Sequence, residues 1–223
     1  MVRYIWLSHP LDIDGPRPPA IPAPTLRTLY TIERDGAGVQ VLELASHTGT
    51  HADAPRHVVE DGLTLLDWSP DEFVYRKPVV VDLHLGDREV VMPEHLEPHA
   101  PLLARAELAL VRFGYGQRRK TDPKGFNTEC PGFGVESASW IRSRCPELRV
   151  LGLDVPSLAC IARLEETMAA HNRLLEGVGR RFLVIEDMDL DKELSGLIEV
   201  RVQPWRVKGM DSGPCSVVGL VES

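Results

Sequence analysis

The sequence predicts one α/β domain with a mixed, β-rich core. Three observations carry that expectation. Short apolar, β-branched runs recur along the chain, only two segments show clear helical spacing, and the two kinds of segment follow no regular alternation. At 223 residues the chain is long for one compact domain and short for two, since domains usually run to roughly 100–200 residues. No internal repeat or low-complexity tract divides it, so residues 1–223 are read as a single unit.

The elements follow in order. Pro10 to Pro24 holds prolines at 10, 16, 18, 19, 22 and 24. That density excludes helix and disfavours a central strand, so an extended N-terminal arm is expected, wrapping a neighbouring subunit or bordering a pocket. Val39-Gln40-Val41-Leu42-Glu43-Leu44 reads as a strand running into a histidine-rich segment. Pro78 to Leu83 and Leu108 to Phe113 are apolar and short enough for buried strands. Glu136 to Arg144 has helical spacing and stops before Pro146. Arg149 to Asp154 reads as a strand ending in a polar turn. Cys160 to Glu176 predicts the longer helix, with 161, 164, 168, 171, 174 and 175 on its apolar face. Strands at Phe182 to Ile185, Leu197 to Val202 and Ser216 to Val221 complete the pattern.

Composition narrows the function. Hydrophobic residues make up 43% and charged residues 26%, ordinary for a folded domain, and a chain this long needs no structural metal to supply a core. A formal charge of −8, from 25 basic against 33 acidic residues, argues against a nucleic-acid or anionic-membrane surface. The local run Arg118-Arg119-Lys120 is expected to be a solvated loop. Cys130, Cys145, Cys160 and Cys215 form no C-x-x-C pair, so reduced thiols filling the core are expected. Met1 to Pro10 lacks a basic region followed by an apolar one, and no apolar run approaches the ~20 residues of a membrane span. The cytoplasm is the default location.

The chemistry concentrates in residues 47–57, where His47, His51, Asp53 and His57 stand together. Gly49, Thr48, Thr50 and Pro55 oppose a regular helix, so a looped or partly extended backbone must aim these side chains. Two imidazoles and a carboxylate suit Zn²⁺, Mn²⁺ or Fe²⁺ and leave a coordination position for water. His57, four residues beyond Asp53 and past a proline, suits a proton acceptor and donor beside that shell. The bland alternative is a histidine-rich surface turn or satisfied core histidines; the combination, with bends at Gly49 and Pro55, favours the metal. Elsewhere the residues speak less directly. His171 lies on the apolar helix face, where a lone histidine is more often a core residue. Glu186 ends a buried strand and needs a partner there, or else belongs to a solvated acidic turn running to Asp191. Trp6, Trp68, Phe73 and Tyr115 are candidate aromatic walls, and Arg118 or Arg119 could meet a substrate carboxylate. A Ser157, His171 and Asp187 triad lacks the G-x-S-x-G elbow.

Residues 47–57 resemble the H-x-G-T-H-x-D-x-P-x-H motif of the cyclase-like metal-dependent hydrolases, which include bacterial kynurenine formamidase and isatin hydrolase, and match every fixed position. Leu7 to Leu11, Pro131 to Ala138, Gly152 to Ser157 and His171 to Glu186 are similar to further segments of that family. The resemblance implies a swivelling β/β/α fold and assembly as a homodimer or homotetramer. It implies Zn²⁺ or Mn²⁺, two per chain. His47, His51 and Asp53 would hold one ion, Asp53 would bridge to a second completed by His171 and Glu186, and His57 would be the acid/base. The implied activity is hydrolysis of a C–N bond in a small amide, N-formyl compound or cyclic amide. Lactone hydrolysis, cyclase or lyase chemistry at the same site, and a non-catalytic metal-binding scaffold are the alternatives. The chain departs from its relatives in two places. Gly179-Arg180-Arg181 lengthens the stretch between His171 and Glu186, leaving Asp187 as a rival ligand. Ala23-Pro24-Thr25 stands where the formamidases carry a P-G-D-T-like turn.

Overall fold

A computed structural model describes residues 1–177 and 181–222. Its main sheet is mixed. The strands are β1 (Val2–Trp6), β2 (Thr25–Tyr30), β3 (Val39–Glu43), β4 (His51–Asp53), β5 (Val74–Tyr75), β6 (Pro78–Asp82), β7 (Val90–Val91), β8 (Leu108–Arg112), β9 (Gly132–Phe133), β10 (Val150–Leu153), β11 (Leu183–Glu186), β12 (Leu197–Pro204) and β13 (Ser212–Glu222). The order β5-β12-β13-β4-β11-β10-β8-β6 forms the large sheet, and β1 pairs with the far end of β13. Strands β6, β8, β10 and β11 run parallel; β4, β12 and β13 join them antiparallel. Only Arg76 and Lys77 separate β5 from β6. That link spans at most about 11 Å, so the two ends of the sheet must approach and the sheet curls into a nearly closed barrel.

Alternation along the strands divides the apolar side chains between two faces. Leu108 and Leu110 of β8, Val150 of β10, and Leu183 and Ile185 of β11 point to the inner face, with Tyr75, Val200, Val202 and Val217. Ala109, Val111, Leu151, Leu153 and Val184 point outward and are covered by the helices Val135–Arg144 and Leu164–Leu175, through Ala138, Ile141, Ala170 and Leu174. Burial on both faces explains why these strands read as continuous apolar runs. The four thiols are free and buried, and burial pushes Cys145 up to about 11, consistent with inert core filler.

Several expectations need correction. The strand Val39–Glu43 forms as expected; its partner, Thr25–Tyr30, was not anticipated, and the two make a separate, largely exposed hairpin outside the main sheet. The second helix starts at Leu164 after a 3-10 turn, and its buried side is Thr167, Ala170, His171, Leu174 and Leu175. Leu164 and Met168 are exposed, so the buried stripe is rotated from the one the apolar residues mark. Thr167 can replace them because its hydroxyl donates to the Cys160 and Arg163 carbonyls. Arg118 and Arg119 stand on a short helix, Gly116–Thr121, with both guanidinium groups paired, not on a solvated loop. Pro10 to Pro24 has neither helix nor strand, as its prolines require. Gly179 and Arg180 of the expected insertion lie outside the described residues; Arg181 stacks over the Trp68 ring and pairs with Glu72. Among the described residues no helix is long and apolar enough to cross a membrane.

Candidate metal centre

The sheet register assembles the site. Gly49 takes a left-handed φ of 63°, which turns the chain into β4, and Pro55 opens the 3-10 turn Pro55–His57 that ends it. Between these bends His51, Ala52 and Asp53 pair with β11 on one side and β13 on the other. Ala52 points into the barrel. His51 and Asp53 therefore point to the outer face, toward the Leu164–Leu175 helix that carries His171. Glu186 lies directly opposite His51 in the ladder, so it shares that face.

The side chains converge. Asp53 is fully buried, and its two oxygens face different neighbours. Oδ1 lies 3.0 Å from His47 Nδ1 and 3.5 Å from His51 Nε2, whereas Oδ2 lies 3.8 Å from His171 Nε2. His51 Nδ1 donates to the Gly49 carbonyl at 2.9 Å, which leaves Nε2 as the acceptor nitrogen, 3.3 Å from Glu186 Oε2. Glu186 Oε1 accepts from the Leu158 amide at 2.6 Å and sits 3.0 Å from His171 Nε2. Ligand atoms of His47, His51 and Asp53 lie within 4.8 Å of one another, as do those of Asp53, His57 and His171. His57 thus stands as near the centre as the candidate ligands.

Sequence reasoning missed Asp211. Its Oδ2 lies 2.9 Å from His47 Nε2 and 3.2 Å from His57 Nδ1. It immediately precedes Ser212, which pairs with Asp53 across the ladder. The only signal that could have found it is that pairing, Ser212 with Asp53, of chain segments 159 positions apart. The residues left open by the sequence also sort themselves. Asp187, at a left-handed φ of 53°, turns away from Glu186 into a bidentate ion pair with Arg119, at 2.8 and 2.9 Å. Arg118 pairs with Asp87 and Asp122. Neither arginine is free to meet a substrate carboxylate, and Ser157, His171 and Asp187 form no triad, since His171 faces Glu186. Trp68 and Phe73 belong to the barrel core and line a cavity of about 300 Å³ with Val74 and Val202. The Tyr115 ring is buried in the helix-covered core with its hydroxyl donating to Asp87, and Trp6 is exposed beside a cavity of about 450 Å³.

Electrostatics give the cluster its character. Burial disfavours charge on His47, but its hydrogen bond with Asp211 and the facing Asp53 carboxylate outweigh it and push this imidazole up to about 10. Burial and the Glu186 charge work against ionised Asp53, yet His51 and His47 hold it below the usual carboxylate range. Glu186 is likewise buried but held well below its ordinary value by His171 and His51. Two buried carboxylates on one patch repel each other, and both Asp53 oxygens and His51 Nε2 lack a hydrogen bond of good geometry. Such groups are costly in isolation and ordinary as metal ligands. The donor set, imidazole and carboxylate without thiolate, fits Zn²⁺ or Mn²⁺.

Comparison with known proteins agrees with this geometry. The model of the family described as putative cyclase matches residues 5–159. The chain is 27% identical over 222 residues to kynurenine formamidase of Bacillus anthracis, covering 97% of this chain and 96% of that protein. It is 26% identical to the kynurenine formamidase of Erythrobacter litoralis over 97% of its length and 93% of the relative's. Among solved structures, isatin hydrolase A from Labrenzia aggregata, bound to benzyl benzoate, superposes with a TM-score of 0.82 at 22% identity, covering 100% of this chain and 94% of that one. A potential metal-dependent hydrolase with cyclase activity superposes with a TM-score of 0.76 at 18% identity over all of both chains. These structures share the fold of mixed α/β layers around a nearly closed sheet. With the family's model spanning more than half of its residues and the matching motif at the centre of the sheet, the chain belongs to the putative cyclase family.

Proposed function

We propose that the protein is a metal-dependent hydrolase of a C–N bond in a small amide, N-formyl compound or cyclic amide. The observation that carries this reading is the buried cluster itself: two carboxylates, Asp53 and Glu186, face three imidazoles while Asp53 and His51 keep atoms without hydrogen-bond partners. His47, His51 and Asp53 would hold one divalent ion, Zn²⁺ or Mn²⁺, and Asp53 would share its other oxygen with a second, held by His171 and Glu186. An ion held there supplies Lewis acidity, which acidifies a water and polarises a carbonyl. His57, about a quarter exposed at its side chain, stands between the buried ligands and solvent. It takes the proton from the attacking water and returns it to the leaving nitrogen. The sequence relatives with kynurenine formamidase activity, and the isatin hydrolase fold, favour an amide over a lactone.

Two measurements test the reading. Purified protein is expected to contain divalent metal by elemental analysis and to release a carboxylic acid from simple or cyclic amides in a chelator-sensitive way. Metal-free protein with full activity would sink it. His57→Ala is expected to keep its metal and lose at least about 100-fold in turnover; normal turnover by that variant removes His57 from the mechanism. The partners proposed are a small-molecule substrate and a second copy of the chain, as dimer or tetramer. The apolar side chains Leu26, Leu29, Tyr30, Val39 and Leu42, all exposed on the β2–β3 hairpin, support assembly, and light scattering tests it.

A further inference from the structure

We infer that Asp211 is a positioning residue that ties the candidate ligand His47 to the acid/base His57 through a single carboxylate oxygen, selecting the working tautomer of both rings. The inference deepens the proposed hydrolase site and rests on that reading for the roles of the two histidines.

The argument is one of donors and acceptors. An ionised carboxylate only accepts hydrogen bonds, so Oδ2 at 2.9 Å from His47 Nε2 and 3.2 Å from His57 Nδ1 requires a proton on each of those nitrogens. In the neutral rings the lone pairs then fall on His47 Nδ1 and His57 Nε2. His47 Nδ1 is the atom 3.0 Å from Asp53, so once a metal displaces the proton that this nitrogen shares with the carboxylate, its lone pair faces the ligand set. His57 Nε2 is left free of Asp211 and available to take a proton. Without Asp211 neither choice is enforced, because the two imidazole tautomers lie close in energy.

Asp211 is itself held. Its backbone leads directly into β13, where Ser212 is paired with Asp53. The carboxylate thus comes from a separate strand and bridges the two ends of the 47–57 segment, whose His47 and His57 rings pack with centroids 4.3 Å apart. A metal-bound imidazole that donates its other N–H to a carboxylate is a better ligand and a better oriented one. Here one oxygen serves the ligand and the proton carrier together, so the orientation of one ring constrains the other.

The test uses the full chain loaded with Zn²⁺, which is diamagnetic. Asp211→Ala, Asp211→Asn and Asp211→Glu are compared for zinc stoichiometry, zinc affinity by chelator competition, and His57 tautomer by ¹H–¹⁵N spectra of the ring nitrogens, assigned with His57→Gln. Asp211→Ala is expected to keep the zinc content at saturation, weaken zinc about 10–100-fold, and turn the Nδ1–H signature of His57 into a mixture of tautomers. Asp211→Glu is expected to restore part of both. Unchanged tautomer and affinity in Asp211→Ala would overturn the inference, and so would loss of a zinc equivalent at saturation, which would make Asp211 a ligand. Should the alanine variant fold poorly, Asp211→Asn is read by the same criteria. Neither readout uses substrate, so a wrong substrate class fails in the activity panel and leaves this test standing.

Discussion

Asp53 carries the largest share of the predicted metal linkage, and replacing it by asparagine gives the sharpest test. The substitution keeps shape and removes the charge from a fully buried carboxylate whose two oxygens face His47 and His51 on one side and His171 on the other. A ligand that binds only the folded state stabilises it by RT ln(1 + [L]/Kd), about 2.7 kcal/mol at a hundred times Kd. For a chain of this size each kcal/mol moves Tm by roughly 2–4 °C. Metal at that concentration should therefore raise the wild-type Tm by about 5–11 °C over the chelated protein. If the lost charge weakens binding about 100-fold, the same metal concentration only half-fills the site, contributing RT ln 2, about 0.4 kcal/mol, or about 1–2 °C. Differential scanning calorimetry with and without chelator measures both increments, each against its own metal-free baseline, so any effect of the asparagine on the metal-free fold cancels. An Asp53→Asn increment equal to that of wild type would refute the placement of metal at this cluster.

Other outcomes follow from the same geometry. The His47 imidazole is raised to about 10, above its ordinary 6.5, so in chelated protein its contribution to stability is full below about pH 6.5 and is lost as pH climbs toward 10. Melting temperatures in chelator should fall across that window while the metal-induced increment grows, because metal then displaces no proton; a flat profile contradicts the assigned partners. The depressed Glu186 acts in the opposite sense, stabilising above its ordinary 4.5 and losing that effect as pH drops through its lowered folded value. Gly62→Ala would put a Cβ 2.6 Å from the Pro55 carbonyl carbon and 2.7 Å from the Arg56 amide nitrogen, forcing the turn that carries His57 to shift. It should cost about 1–3 kcal/mol by denaturant melt and lower turnover with metal retained, whereas Gly38→Ala, whose Cβ would only touch Ile32 Cγ1 at 4.0 Å, should do neither.

The sequence by itself determined what short-range chemistry can dictate. Gly49 and Pro55 bend the chain at either end of His51-Ala52-Asp53, and alternation through Ala52 puts His51 and Asp53 on one face, so one half of the site is written within eleven residues. Apolar, β-branched runs marked the strands β6, β8, β10 and β11, because burial on both faces leaves a signal in each residue. The tertiary structure alone decided the remainder. That Glu186 faces His51 while its neighbour Asp187 turns to Arg119 depends on ladder register and on a left-handed φ at a non-glycine residue, neither of which local propensity signals. The hairpin Thr25–Tyr30 with Val39–Glu43 could not be told from a sheet strand, since a β-forming run does not name its partner. Asp211 was invisible for the same reason. It stands 154 residues from His57 in the chain and meets it only because β13 closes against β4, a contact set by sheet pairing and not by any pattern around Asp211 itself.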